Sequence, residues 1–273
     1  MKRALPLIAV VVLAASCGHA SSRQASPPTH GPSPSPVDPP PLPEAATRCG
    51  DPGPFAEAFW FRAADGALLD GIVLGGGPAG VVLAHQYPAD LCGWWPYALV
   101  LARDGFRVLL FDFRCFGLSP CPTEGGGDLS ADVAGAAAEL RRRGATTVAL
   151  VGASLGGTTS LMAATKMTPQ PDAVVSLSGE PDLGYLVGST RLDAMASIGE
   201  LSSPALFVVA RDDPAVSVTE TRSMFRAAGS TQKRVVVLPR WYGHGWNMVV
   251  DIRGKTTPLS RTVVDFLREH LTR

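Results

Sequence analysis

The chain has 273 residues, of which 46% are hydrophobic and 18% charged, a composition that supports a sizeable buried core and excludes a disordered or fibrous protein. Lys plus Arg and Asp plus Glu each number 24, so the formal net charge is zero and the basic excess of a nucleic-acid-binding protein is missing. We therefore expect one large domain or two small ones, and no nucleic-acid partner.

The first residues are typical of an export signal. Lys2 and Arg3 are followed by an apolar run over residues 5–15. As a helix this run is about 16 Å long, which is too short to cross a hydrocarbon core of about 30 Å. A signal peptide over residues 1–16 is therefore predicted.

The signal ends in Ala14-Ala15-Ser16-Cys17, which resembles a bacterial lipobox, where small residues precede a cysteine that is acylated and becomes the mature N-terminus. The alternative is an ordinary signal peptide with a chance cysteine near its cleavage site. Several acyl chains on Cys17 would hold the protein firmly, whereas single chains bind only marginally. We expect an exported protein with a lipid anchor in the cell membrane, on its extracytoplasmic face.

Residues 17–54 are rich in Pro and Ser, with Pro-Ser-Pro-Ser-Pro at 32–36 and three prolines at 39–41. Such a stretch cannot bury enough apolar surface to fold, and its prolines favour extended polyproline II. It predicts a semi-rigid tether that ends at a folded domain over residues 55–273.

Apart from Cys17, the cysteines are Cys49, Cys92, Cys115 and Cys121. An even number in an exported protein suggests two disulfides, and sequence alone does not choose among the three connectivities. We favour Cys115–Cys121, a short loop closure, with Cys49–Cys92, which would join the end of the tether to the domain. The alternative is that one or both pairs stay reduced. Since no Cys/His group has metal-ligand spacing, no metal site is predicted.

From about residue 55, short apolar runs recur at regular intervals. The first two flank an Asp65-Gly66 turn and predict an antiparallel hairpin. The later runs are continuously hydrophobic, as expected of strands buried on both faces of a parallel sheet. The predicted strands lie at 59–62, 68–74, 81–84, 108–111, 148–151, 173–177, 205–209 and 235–238.

The segments between these runs have apolar spacing compatible with helices. Asp128 and Ser130 are suitable N-terminal caps for one helix, and Gly144 is a suitable stop. Alternation of strands and helices predicts an α/β fold with a doubly wound, mostly parallel sheet. The predicted helices lie at 95–103, 129–142, 155–167, 218–228 and 258–271.

A Gly-x-Ser-x-Gly pentapeptide, residues 152–156, stands directly after one predicted strand and before a helix. This setting is typical of a nucleophile elbow. Side chains at 152 and 156 would collide with neighbouring backbone, while Ser154 would project its hydroxyl clear of the sheet. The helix N-terminus offers N–H groups and a positive dipole end to an oxyanion. Ser154 is the predicted nucleophile, and the alternative is a structural turn.

A carboxylate and a histidine follow the last two predicted strands, at the carboxyl edge where active groups gather. Asp213, directly before a proline, is the predicted acid that holds the histidine in its productive tautomer. Asp212 is its competitor, and Asp182 is a more distant one. His244 is flanked by glycines and precedes the last helix, so it is the predicted base.

The chain order Ser154, Asp213, His244 is that of α/β-hydrolases. With these motifs, residues from about 57 to 271 resemble an α/β-hydrolase of the serine esterase or peptidase group. The resemblance implies a serine hydrolase that cleaves small carboxylic esters through an acyl-enzyme and needs no cofactor. The alternatives are a serine peptidase of the same fold and a non-catalytic surface lipoprotein that binds a lipid or another ligand.

Two further stretches carry the resemblance. Residues 111–119 are similar to the family's Asp-x-Arg-Gly-x-Gly-x-Ser stretch, with Cys115 in place of a glycine. His85-Gln86 occupies the place of the family's His-Gly oxyanion loop, with Gln86 in place of glycine. The resemblance implies that the N–H of Leu155 is one oxyanion donor and that the other is the N–H of Gln86 or Tyr87, with Tyr87 preferred. His85 itself is expected to be structural.

Only about 25 residues, Ser178 to Ser203, separate two of the late strands. This leaves room for a short cap and not for a large helical lid, and it suggests an open site suited to short or medium acyl esters. The sequence predicts neither the natural ester nor the oligomeric state.

Overall fold

The computed structural model describes residues 41–43, 48–50, 56–122, 126–186 and 190–272. The predicted signal peptide 1–16, Cys17 and most of the predicted tether lie outside these residues. Pro40–Arg273 forms one compact unit. None of the helices in the described part of the chain is long and apolar enough to cross a membrane.

The strands follow the predicted pattern closely. In the described residues they are β1 Ala56–Arg62, β2 Leu68–Leu74, β3 Ala79–Ala84, β4 Arg107–Phe111, β5 Thr147–Ala153, β6 Ala173–Leu177, β7 Asp182–Gly184, β8 Leu192–Asp193, β9 Ala205–Ala210 and β10 Lys233–Leu238. Eight of them form one sheet in the order β1-β2-β4-β3-β5-β6-β9-β10. β2 pairs antiparallel with β1 and β4, and all other neighbours in this sheet are parallel. The doubly wound, mostly parallel sheet is confirmed.

The predicted helices are also present, within one residue at each end. They are α1 Trp95–Arg103, α2 Leu129–Arg142, α3 Leu155–Lys166, α4 Val218–Ala227 and α5 Pro258–Leu271. The Asp128 carboxylate caps α2 by accepting the N–H of Ser130. Ser217 and Glu220 form a reciprocal capping box at the start of α4, which satisfies two backbone N–H groups that the helix leaves unpaired.

The continuous hydrophobicity of the strands is explained by two apolar layers, one on each face of the sheet. Neighbouring residues of a strand point to opposite faces, so Val81 packs into one layer and Val82 into the other, both fully buried. Side chains of α1 and α5 complete the first layer, and those of α2, α3 and α4 complete the second. The helices therefore lie on both faces of the sheet.

The connection between β6 and β9 is the predicted short cap. In its described residues it contains β7 and β8, which form a two-stranded antiparallel ribbon, and one 3₁₀ turn at Ile198–Glu200. The sequence predicted the shortness of this connection but not the ribbon, because strands of three and two residues carry no recognisable apolar run.

Both disulfides have the favoured connectivity, Cys49–Cys92 and Cys115–Cys121. The first draws the end of the predicted tether onto the domain. Arg48, beside it, forms ion pairs with the buried carboxylates of Asp70 and Asp112. Residues 48–50 were predicted within the tether and pack against the domain.

Helix α2 packs so closely on the β1–β2 hairpin at Gly135 that no side chain fits there. A Cβ at Gly135 would lie 2.5 Å from the Cα of Ala63 and 2.6 Å from the carbonyl oxygen of Arg62. Gly135→Ala is expected to lower the free energy of unfolding by about 2 kcal/mol, because overpacking against backbone outweighs the gain in helix propensity. Chemical denaturation measures the change.

Gly76→Ala is the matched control, because a Cβ at Gly76 meets no atom within 4 Å. It is expected to be neutral or slightly stabilising through the unfolded chain. Equal stability of the two variants would contradict the close approach of α2 to β1.

Candidate active site

Ser154 sits at the sharp turn between β5 and α3, with φ +50° and ψ −115°. A Cβ at Gly152 would lie 2.0 Å from the carbonyl oxygen of Gly156, and a Cβ at Gly156 would lie 2.1 Å from that of Ala84. Both positions therefore require glycine, as the motif predicts. The Ser154 N–H donates to the carbonyl of Leu177 at 2.8 Å, which fixes the turn against the end of β6.

His244 and Asp213 meet at the same edge of the sheet. Nδ1 of His244 lies 2.9 Å from Oδ1 of Asp213. The Asp213 side chain is fully buried, and the His244 side chain is 18% exposed. Oδ1 of Asp213 also accepts the N–H groups of Ala215 and Val216, at 3.0 and 3.1 Å. The carboxylate can thus hold the imidazole with Nδ1 protonated and Nε2 free to accept a proton.

The electrostatics of Asp213 favour the ionised carboxylate. Burial raises its pKa, but hydrogen bonds from His244, Ser178 and two backbone N–H groups outweigh burial and hold the pKa below its ordinary value. An ionised Asp213 is the form that stabilises an imidazolium during proton transfer.

The competing carboxylates have other partners. Asp212 accepts the N–H of Trp241 with both oxygens at 3.1 Å. Asp182 accepts the N–H of Gly184 at 2.8 Å and pairs with Arg191. Neither contacts His244, so the structure brings His244 together with Asp213.

The loop of His244 packs beside Ser154. A Cβ at Gly245 would lie 3.2 Å from the Cβ of Ala153, the residue before the serine. Within the described residues, however, the Ser154 hydroxyl makes no hydrogen bond to His244. The structure thus places the loop of His244 next to the residue that precedes Ser154, without a hydrogen bond between the Ser154 and His244 side chains.

Ser178 was missed by the sequence analysis. It directly follows β6, is fully buried and has φ +54°. Its hydroxyl donates to Oδ2 of Asp213 at 2.6 Å and accepts the N–H of Gly245 at 2.9 Å. This single side chain connects the acid to the loop of His244. Its position at a strand end was visible, but nothing in the sequence distinguishes it from Ser176 in the same strand.

The predicted oxyanion donors lie at two neighbouring strand ends. Leu155 is the first residue of α3, and Gln86 and Tyr87 follow β3. The backbone N–H groups of Gln86 and Tyr87 donate to no acceptor among the described residues. The Gln86 side chain accepts the N–H of Trp246 at 3.4 Å and occupies the space where a Cβ of Gly245 would lie. Gln86, which stands in place of the glycine of the family that the sequence resembles, thus joins the predicted oxyanion loop to the loop of His244.

His85 is buried, and both of its ring nitrogens contact backbone groups. It is fully buried; Nδ1 is 3.0 Å from the carbonyl oxygen of Gln86, and Nε2 accepts the N–H of Phe113 at 3.1 Å. Burial lowers the pKa of His85 and favours the neutral ring. His85 therefore ties the 85–87 loop to the 111–119 stretch.

The 111–119 stretch is ordered by its own polar groups. Asp112 accepts the N–H groups of Leu91 and Leu118 at 2.8 and 2.7 Å. Arg114 is buried and donates to Asp132 and Asp65 at 2.8 and 2.7 Å. These contacts support the expectation that the stretch orders the site.

Comparisons with known proteins identify the fold. Residues 80–187 match the family model described as alpha/beta hydrolase fold. No curated protein matches the chain in sequence.

Solved structures agree with this match. The esterase Pf2001 of Pyrococcus furiosus is 16% identical with a TM-score of 0.66, over 80% of this chain and 92% of that one. The esterase EaEST from Exiguobacterium antarcticum is 17% identical with a TM-score of 0.63, over 78% and 100%. The enol-lactonase from Burkholderia xenovorans LB400 is 19% identical with a TM-score of 0.60, over 77% and 99%. The chain has the α/β-hydrolase fold.

Ser178→Ala tests the connection between the acid and the loop of His244. The change removes one hydrogen bond to a carboxylate and leaves the N–H of Gly245 without its acceptor. We expect the capture of Ser154 by a fluorophosphonate to slow roughly tenfold or more, because hydrogen bonds to charged groups contribute about 1.5–3 kcal/mol. Labelling rates of the folded variant measure the loss.

Ser176→Ala is the matched control, since this hydroxyl lies in β6, two residues before Ser178, and is buried without a hydrogen-bond partner. It is expected to keep the wild-type labelling rate. The same rate in both variants would show that Ser178 does not position the acid.

Proposed function

We propose that this protein is a serine hydrolase that cleaves carboxylic esters, with Ser154 as nucleophile, His244 as general base and Asp213 as the acid that orients His244. The observation that carries the proposal is the Asp213–His244 hydrogen bond of 2.9 Å beside a serine elbow. The α/β-hydrolase fold alone would not carry it, because one fold hosts many functions.

The reaction follows from these positions. Nε2 of His244 takes the Ser154 proton while Oγ attacks the acyl carbonyl, and the carbonyl oxygen becomes an oxyanion. The N–H of Leu155 and that of Tyr87 or Gln86 donate to this oxyanion. The imidazolium then gives its proton to the leaving alcohol, and an acyl-enzyme remains. Water, deprotonated by His244, attacks the acyl-enzyme and releases the acid and the free Ser154.

Two observations favour esters over peptides. In its described residues the cap between β6 and β9 is a short ribbon with one 3₁₀ turn, and a cap of this size suits an open site for short or medium acyl esters. The fold neighbours include proteins named as esterases and an enol-lactonase. We therefore place a peptidase second.

We also propose that the protein is exported and anchored through an acylated Cys17, with residues from 17 onward as the tether. Two disulfides within the domain support an oxidising compartment, because such bonds are rare in the cytosol. The catalytic domain would then act at the outer surface of the cell membrane.

Ser154→Ala is the direct test of the nucleophile. The protein is expected to hydrolyse p-nitrophenyl esters, with an optimum among the short and medium acyl chains of a series from acetate to palmitate. Removal of the hydroxyl is expected to lower turnover by about 10⁴-fold or more, because no acyl-enzyme can form. Release of p-nitrophenol measures the rate.

Ser160→Ala is the matched control, since this buried serine of α3 has no hydrogen-bond partner. It is expected to retain full turnover and full labelling by a fluorophosphonate. A folded wild-type protein that hydrolyses no ester in the series would refute the esterase, and a peptide panel would follow.

Cys17→Ser tests the anchor. The wild-type protein is expected to be acylated and to sediment with membranes, because several acyl chains bind a bilayer firmly. The variant is expected to lose both acylation and membrane sedimentation. Metabolic labelling with a fatty-acid analogue and fractionation measure these changes, and an acylated Cys17→Ser protein would exclude this residue as the anchor.

A further inference from the structure

Glu180 is fixed beside the proposed catalytic groups. It follows β6 by three residues, directly after Ser178 and Gly179. Its N–H donates to the hydroxyl of Thr158 at 2.9 Å, and the same hydroxyl donates back to the Glu180 carbonyl at 2.9 Å. Thr158 lies in the first turn of α3, and its own N–H donates to the carbonyl of Ser154 at 3.0 Å. The backbone of Glu180 is thereby tied to the helix that follows the nucleophile.

The backbone just before Glu180 also packs closely against the start of α3. A Cβ at Gly179 would lie 3.0 Å from the carbonyl carbon of Gly157 and 3.1 Å from the nitrogen of Thr158. Glu180 is therefore joined to α3 by close backbone packing at Gly179 as well as by its own two hydrogen bonds to Thr158.

Among the residues that the structure describes, the Glu180 side chain has no partner. The half-buried Glu180 carboxylate accepts no hydrogen bond and forms no ion pair with any described residue. Other carboxylates near this edge are engaged: Asp213 with His244, Asp182 with Arg191, and Glu220 with the N–H of Ser217. A half-buried carboxylate without a partner loses hydration and gains nothing within the protein in return.

Burial and the neighbouring carboxylates both disfavour the ionised form of Glu180, and a bound cation would favour it. Burial raises its pKa, and Asp213 and Glu220 act in the same direction, whereas His244 opposes them. His244 is already held by Asp213. A cationic group bound at the site would offset both the lost hydration and the repulsion from the neighbouring carboxylates.

We propose that Glu180 binds a positively charged group of the substrate, so that the preferred esters carry an ammonium or guanidinium group near the scissile bond. This inference rests on the proposed esterase function and adds a substrate class to it. Glu180 takes no part in bond making or breaking; it selects the ester by ion pairing at a fixed position beside Ser154.

The test compares esters that differ only in charge. One pair places the charge on the acyl side, with the p-nitrophenyl ester of trimethylammonio-butyrate and its isostere in which tert-butyl replaces trimethylammonium. A second pair places it on the alcohol side, with butyrylthiocholine and its tert-butyl isostere. For each pair the measured quantity is the ratio of kcat/KM for the cationic ester to that for the neutral one.

The wild-type protein is expected to prefer the cationic ester of at least one pair by roughly tenfold, the size expected of a partly exposed ion pair. Glu180→Gln is expected to remove this preference and leave turnover of the neutral ester unchanged. Added salt is expected to weaken the wild-type preference, because it screens the ion pair. Asp182→Asn, two residues away and already paired with Arg191, is the matched control and is expected to keep the wild-type ratio.

Each contrary result has a distinct meaning. Turnover of the esters without a preference for the cation in either pair would overturn the inference and leave the proposed esterase intact. An equal loss on both esters in Glu180→Gln would also overturn it, since Glu180 would then act on the catalytic groups. If the folded wild-type protein hydrolyses no ester, the proposed function fails, and this inference fails with it.

Discussion

The site depends on a backbone contact that admits no side chain. At the turn between β5 and α3, the chain passes so close to itself and to the end of β3 that Cβ atoms at Gly152 and Gly156 would fall within about 2 Å of carbonyl oxygens. This contact forces Ser154 to a positive φ, a conformation that costs about 1–3 kcal/mol and persists only where the surroundings impose it. The sheet provides those surroundings, because the Ser154 N–H bonds to the end of β6.

A few polar side chains then position the loops around this rigid turn. Ser178 joins Asp213 to the loop of His244, and Gln86 joins that loop to the end of β3. The bonds of the fully buried Ser178 are short, at 2.6 and 2.9 Å, and a buried polar group left without its partner is costly, so these bonds favour one arrangement of the loops. The buried hydroxyls of Ser160 and Ser176 lack partners, which shows that burial alone does not give a serine a positioning role.

Much of this arrangement was predictable from the sequence for identifiable reasons. Strands buried on both faces are continuously apolar, and the serine elbow needs glycines at fixed spacing. The sheet and the position of Ser154 could therefore be predicted. The contacts of Ser178, Gln86 and Arg48 were not, because each joins segments far apart in the chain. Arg48 lies at the end of a proline-rich stretch, and no local pattern indicates that it pairs with Asp70 and Asp112.

The carboxylates around the site fall into two groups, those with partners among the described residues and the carboxylate of Glu180. Arg48 and Arg114 each join two carboxylates from separate segments of the chain, and of these carboxylates Asp70, Asp112 and Asp132 are buried whereas Asp65 is partly exposed. A chain with a formal net charge of zero has no overall excess of charge to attract an ion from a distance, so any preference for a charged substrate must arise from a local group. The Glu180 backbone is held by two hydrogen bonds, and its carboxylate has no partner among the described residues, so it is suited to bind a ligand where the paired carboxylates are not. Selectivity would then reside in a residue separate from those that break the bond.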